Sequence, residues 1–187
     1  VVIYYSFFMS KLVALVIGHH KKMKGARNKD LGVWEFDFNS KLAKRIQQKV
    51  TQGEVELVWR DTYRELPWKI NRIGPDFIIS LHCNAFNGKV SGSEVLYYHT
   101  STKGKKIAQI LLKEIVNALE LKSRGIKGRR KGGRGGYLLY YTYAPCVIGE
   151  PFFIDNNEDL LCAQKKFEKL VSAYARTIDK VITEGIV

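Results

Sequence analysis

The chain has 187 residues, 45% hydrophobic and 26% charged, with 31 Lys plus Arg against 18 Asp plus Glu and a formal net charge of +13. That size suits one domain with a sizeable core, and that charge implies a polyanionic neighbour such as nucleic acid, an anionic membrane surface or an anionic wall polymer. No Pro- or Ser-rich linker and no solenoid repeat is present, and three widely spaced cysteines (Cys83, Cys146, Cys162) without a CxxC pair exclude a Cys-based zinc knuckle and argue against a disulfide framework.

Val1 to Phe8 is apolar, uncharged and β-prone, without the positive start and cleavage site of a secretory signal. Residues 1–8 are therefore read as a non-essential N-terminal extension, and residues 9–187 as one domain. Residues 11–17 form the first core strand, and the polar, glycine-bearing stretch 21–33 a loop. Glu35 opens a helix to about Val50, with Phe38, Leu42, Ile46 and Val50 on one face. Val55 to Trp59 alternates as a strand. Pro67 suits the first turn of a helix that runs to Ile73, which Gly74-Pro75-Asp76 then breaks.

Residues 77–82 form a second core strand and residues 92–98 another. A long amphipathic helix follows over 103–121. The basic, glycine-rich run 122–136 reads as a loop, the aromatic run 137–143 as a strand or strand edge, and 145–149 as a strand. The last helix covers about 157–184, with Leu161, Phe167, Leu170, Tyr174, Ile178 and Val181 facing inward. Alternating strands and helices predict an α/β fold: a single three-layer domain whose central sheet is mostly parallel or mixed.

Three apolar runs end in residues that hold metals or move protons. Leu12–Ile17 leads into Gly18-His19-His20, Phe77–Leu81 into His82-Cys83-Asn84-Ala85, and Pro145–Ile148 into Gly149-Glu150-Pro151. In open α/β sheets the functional crevice lies beyond the carboxyl ends of the strands, so these groups can meet. Catalytic zinc takes three protein ligands and keeps one position open. His19 and His82 are two candidates. Glu35 is the third, because a short loop ties it to the His19 strand. Cys83 points to the opposite face from His82, and all three cysteines read as small buried residues. Glu150, between Gly149 and Pro151 at a buried strand end, suits a general base with a raised pKa.

Ordered along the chain, these segments resemble the zinc-dependent N-acetylmuramoyl-L-alanine amidases, the family of bacterial autolysins and phage endolysins. Ser80-Leu81-His82-Cys83-Asn84-Ala85 and Pro145-Cys146-Val147-Ile148-Gly149-Glu150-Pro151-Phe152-Phe153 carry the resemblance. Gly92-Ser93-Glu94-Val95 and Arg124-Gly125-Ile126-Lys127 support it, over about residues 11–183. The resemblance implies one Zn2+ held by His19, Glu35 and His82, with Glu150 as the catalytic glutamate and substrate contacts at Asn84, Arg124 and Lys127. It implies hydrolysis of the amide between N-acetylmuramic acid and L-alanine of peptidoglycan, by zinc-activated water with a glutamate base.

Two departures stand out. The family's D-P-G-H-G-G is Val16-Ile17-Gly18-His19-His20-Lys21 here, which makes His20 a rival ligand, although register with Gly18 favours His19. Pro151-Phe152-Phe153 replaces a small residue and Gly-Phe, which bears on the substrate groove. The expected protein is a monomer that acts on peptidoglycan and touches anionic wall polymers through its basic surface, with no dedicated nucleic-acid partner. It is held in the cytoplasm until lysis, endolysin-like, or secreted by an unrecognised route. The competing readings are a basic nucleic-acid-binding protein, on charge and aromatic content, and a zinc peptidase on the same scaffold.

Overall fold

A computed structural model describes residues 10–187, so the extension expected at residues 1–8 lies outside the described residues. Six strands form one mixed sheet in the order β2-β1-β3-β6-β4-β5. They are β1 (Leu12–Ile17), β2 (Glu54–Trp59), β3 (Phe77–Leu81), β4 (Ser93–Tyr98), β5 (Ser123–Arg129) and β6 (Cys146–Glu150). β2, β1, β3 and β6 run parallel; β4 is antiparallel to β6, and β5 is parallel to β4.

The three layers follow from the period-2 alternation of side chains. Val13, Leu15, Ile17, Ile79, Leu81 and Val147 point to one face. There they meet α1 (Glu35–Lys49), α3 (Thr102–Leu119), α5 (Asn157–Lys165) and α6 (Phe167–Thr183). Ala14, Val16, Ile78, Leu96 and Ile148 point to the other face. They meet α2 (Leu66–Ile73) and α4 (Gly136–Tyr141). Because both faces are covered, the central strands read as unbroken apolar runs, as buried parallel strands do. Among the described residues no helix is long and apolar enough to cross a membrane.

Four expectations need correction. The aromatic run at 137–143 is not a strand: residues 136–141 form α4. Leu138 and Leu139 are adjacent and both buried, which a strand covered on one side cannot do, and their burial overrides the β-propensity of the tyrosines. The basic run 122–136 is not all loop, because β5 occupies its first half. Its charged residues tolerate the partial exposure of an edge strand, where charge also discourages further pairing.

The last helix is two, α5 and α6, broken at Lys166. The Lys166 Nζ donates to the Leu119 carbonyl at 2.8 Å and pairs with Glu120 at 3.2 Å. The break shifts the helical phase, so Leu160 is buried and Leu161 is half exposed. Cys162 is only partly buried, unlike Cys83 and Cys146.

Candidate active site

Three adjacent parallel strands end at one cavity of about 400 Å³. β1 delivers His19, β3 delivers His82, and β6 delivers Glu150 as its last residue; Glu35 enters from the first turn of α1. His19, Glu35 and His82 each offer a ligand atom, all within 4.8 Å of one another. The Glu35 Oε2 lies 3.0 Å from His19 Nε2, and its Oε1 lies 3.0 Å from His82 Nδ1. Two backbone amides complete the carboxylate's surroundings: Ala26 N–H donates to Oε2 at 3.1 Å, and Cys83 N–H to Oε1 at 2.9 Å.

Local backbone choices make this closeness feasible. The Gly18 N–H donates to the Leu81 carbonyl at 3.0 Å, and a Cβ there would stand 2.5 Å from that oxygen and 2.6 Å from His82 Cε1. His19 itself adopts φ 66°, a left-handed conformation that is costly for a residue with a side chain and that gathers at functional sites. Gly25, at φ 78°, packs its bare α-carbon where a Cβ would lie 2.5 Å from His19 Cδ2 and 2.6 Å from Glu35 Oε2. His20 is turned into a bridge with Met23 and is not among the gathered donors.

Burial and partners then set protonation. Burial pushes the Glu35 carboxyl up, but hydrogen bonds to His19 and His82, with their charges, outweigh it and hold the group well below its usual 4.5. Burial pulls the His82 imidazole down, and the bond and charge of Glu35 more than reverse this. Glu150 goes the other way. Burial raises its pKa, the charges of His82 and Arg134 pull back, and the charge of Glu35 adds to the rise.

The rest of the wall is polar where it meets Glu150. Asn84 Nδ2 donates to Glu94 Oε1 at 2.9 Å, and Glu94 pairs edge-on with Glu150 in the β4–β6 register. Arg134 reaches in from a turn between Gly133 and Gly135; its Nη2 donates to Glu150 Oε1 at 2.7 Å. Arg60 also lines the cavity, with its guanidinium over the Tyr63 ring.

Of the residues expected from sequence, His19, Glu35, His82, Asn84 and Glu150 line this one cavity. Arg124 and Lys127 are not on its wall. Arg124 instead pairs with Glu94 at 3.1 Å and lies over the Phe153 ring, while Lys127 sits in β5. Sequence reasoning missed Arg134, Arg60 and Gly25. The available signal for Arg134 was an arginine framed by two glycines on each side.

The gathered donors suit a divalent zinc ion: two imidazole nitrogens and one carboxylate, the ligand set of a catalytic rather than a closed structural site. The charge-holding environment of Glu35 keeps it ready as an anion, as a ligand must be.

The family described as N-acetylmuramoyl-L-alanine amidase (Amidase_3) matches residues 13–183. A Bacillus anthracis cell wall amidase, described as uncharacterized, is 30% identical over 92 residues, which is 45% of this chain and 16% of that protein. This chain therefore spans only a small part of that relative's length. Among solved structures, the AmiC2 amidase of Nostoc punctiforme is 25% identical with a TM-score of 0.78, covering 92% of this chain and 97% of that one. An amidase from Clostridium difficile 630 shares the fold at a TM-score of 0.81 and 22% identity, over 93% of this chain and 97% of that chain.

Proposed function

This chain belongs to the N-acetylmuramoyl-L-alanine amidase family, which hydrolyses the amide between N-acetylmuramic acid and L-alanine in peptidoglycan, and we propose that His19, Glu35 and His82 hold its zinc while Glu150 moves the proton. The observation that carries this reading is one cavity with two differently tuned carboxylates. Both are buried; one is gathered with two imidazoles, and the other is not among the gathered donors. A zinc ion, when bound, supplies Lewis-acid polarisation of a carbonyl oxygen and makes water more acidic.

The chain's own residues do the rest. The fold itself gathers the three donor groups, with the Glu35 oxygens each 3.0 Å from a ring nitrogen of His19 or His82. Glu150 takes a proton from the attacking water as the new C–O bond forms. It returns that proton to the L-alanine nitrogen as the C–N bond breaks, so it serves first as base and then as acid. Its raised pKa suits both halves of that cycle, because a group with too low a pKa gives its proton back poorly. Asn84, fixed against Glu94 on the same wall, is placed to contact substrate.

We further propose that the protein acts as a monomer at the cell wall and that its net charge of +13 draws it to anionic wall polymers. The nucleic-acid reading accounts for the charge and leaves the strand-end cavity without a purpose. End-group analysis of digested peptidoglycan, with and without a chelator, tests the proposal. New N-terminal L-alanine, no new reducing sugar, and loss with chelator are expected. New termini from other residues would mean a peptidase on this scaffold, and no new ends from folded, zinc-loaded protein would refute hydrolysis.

A further inference from the structure

We propose that Arg134 is a positioning residue for this reaction: its forked guanidinium holds the Glu150 carboxylate in the orientation from which it moves the proton. The inference rests on Glu150 being the base. The Arg134 Nη2 donates to Glu150 Oε1 at 2.7 Å, while Oε2 is buried and has no hydrogen-bond partner among the described residues. A carboxylate that served only to anchor an arginine would engage both oxygens, because a bidentate fork is the stronger pairing. Because Oε2 has no hydrogen-bond partner among the described residues, the orientation of the carboxylate depends on the bond that Arg134 makes to Oε1.

The guanidinium is itself held in place. Its Nη1 donates to Asn84 Oδ1 at 3.1 Å, and Nη2 also lies 3.5 Å from Glu94 Oε1. Asn84 is oriented in turn by donating Nδ2 to Glu94 Oε1 at 2.9 Å, and the other oxygen of Glu94 accepts from Arg124 Nε at 3.1 Å. Glu94, Asn84 and Glu150 are each at least 96% buried, so the partners that the half-exposed Arg134 side chain meets have little freedom. Arg124 thereby sets Glu94, which sets Asn84 and helps set Arg134. A lysine offers a point charge, and only the forked guanidinium spans Asn84 and Glu150 together.

The turn that carries Arg134 is built for close approach. Gly135 sits at φ 73°, where a Cβ would stand 2.5 Å from Ile148 Cδ1, and a Cβ on Gly136 would overlap the Arg130 carbonyl oxygen. Gly135 thus lets the backbone press against β6, and Gly136 lets the turn close on the Arg130 carbonyl, while the Arg134 side chain reaches Glu150. Proton balance is unchanged by Arg134. The water proton goes to the Glu150 carboxylate and then to the leaving nitrogen, and the guanidinium stays charged throughout.

The test is steady-state hydrolysis of a soluble muramyl-peptide by wild type, Arg134→Ala and Arg134→Lys, with zinc content and thermal midpoint read on the same samples. Misplacing a reacting group by about 1 Å costs on the order of 100-fold. Arg134→Ala is therefore expected to lower kcat roughly 10- to 100-fold. KM should stay near wild type, zinc should stay bound, and added guanidinium should restore part of kcat. Arg134→Lys should fall between the two. A raised KM with normal kcat would make Arg134 a substrate-binding group and overturn the inference. Wild-type kcat in Arg134→Ala, or loss of its zinc, would also overturn it. Wild type that shows no chelator-sensitive amide hydrolysis would sink the parent reading as well, whereas an active wild type beside an unaffected variant sinks only this one.

Discussion

Glu35 and Glu150 line the same cavity and are almost equally buried, at 2% and 4% exposure, yet their surroundings drive their protons in opposite directions. Glu35 has a partner set for each oxygen: an imidazole and a backbone amide on both sides. Glu150 has one arginine on one oxygen and, among the described residues, no hydrogen-bond partner on the other. Burial alone therefore does not decide the role of a carboxylate. The number of donors that accompany it into the interior does, because each donor favours the charged form and each missing one leaves the desolvation cost unopposed.

The strongest way to break this contrast is to remove the metal-holding side. His82→Ala should abolish zinc binding, and with it turnover, because a three-ligand site loses a first ligand and Glu35 loses its Oε1 partner. Metal analysis after gel filtration reads this directly, and full zinc occupancy in the variant would take His82 out of the ligand set. Glu150→Gln should do the reverse. It keeps the size of the side chain and removes the base, so zinc stays and turnover falls roughly 10²–10⁴-fold. A near-normal rate in that variant would separate Glu150 from the chemistry. Together the pair of variants asks whether the two carboxylates divide holding from proton transfer.

Titration of the zinc-free protein sharpens the comparison further. The folded Glu35 sits below its ordinary 4.5, so its stabilising contribution is present above 4.5 and is lost as pH falls through the folded value. His82, raised above 6.5, contributes fully below 6.5, and the contribution is lost as pH rises through its folded value. Glu150 is raised: below 4.5 it is protonated in both states, and as pH rises from 4.5 toward its folded value the unfolded state ionises first, so stability falls. Zinc-free stability should therefore peak near 4.5 and decline above it as far as these three groups decide it. Denaturant unfolding across pH should show wild type losing ground to Glu150→Gln as pH rises. A difference between the two that does not change with pH would contradict the assigned direction for Glu150.

The contrast also marks what the amino-acid order makes legible. His19, His82 and Glu150 stand at the ends of apolar runs, and strand ends converge in a parallel sheet, so their meeting could be reasoned from pattern. Glu35 followed from the short loop and the helix start. Arg134 could not be placed, because its run looked like a mobile basic loop. The fold splits that run into an edge strand and a tight glycine turn, and only the turn aims a side chain inward. Arg124 lies off the cavity wall with its side chain on Glu94, a partner that its motif gave no sign of. The α4 helix was hidden by tyrosine, which favours strands, whereas tertiary burial of Leu138 and Leu139 decided the outcome. The α5–α6 break was hidden because Lys166 looks like any helix-surface lysine until the Leu119 carbonyl is beside it. In each case a long-range partner carried the information.

The smallest expected effect tests whether the region just beyond Glu150 acts only through stability. Asn156 caps α5, its side chain accepting from the Glu158 and Asp159 amides at 2.9 and 3.2 Å. Asp159 in turn accepts from the Phe153 amide at 2.9 Å, three residues past Glu150. Replacing such a cap with alanine costs about 1 kcal/mol. In a chain of this length that lowers the thermal midpoint by about 2–4 °C. Asn156→Ala should show that shift with zinc content and kcat at wild-type values, because neither carboxylate loses a partner. A fall in kcat at full zinc loading would mean that the α5 cap reaches Glu150 through Asp159 and Phe153. The base would then depend on the packing behind β6 as well as on the arginine in front of it.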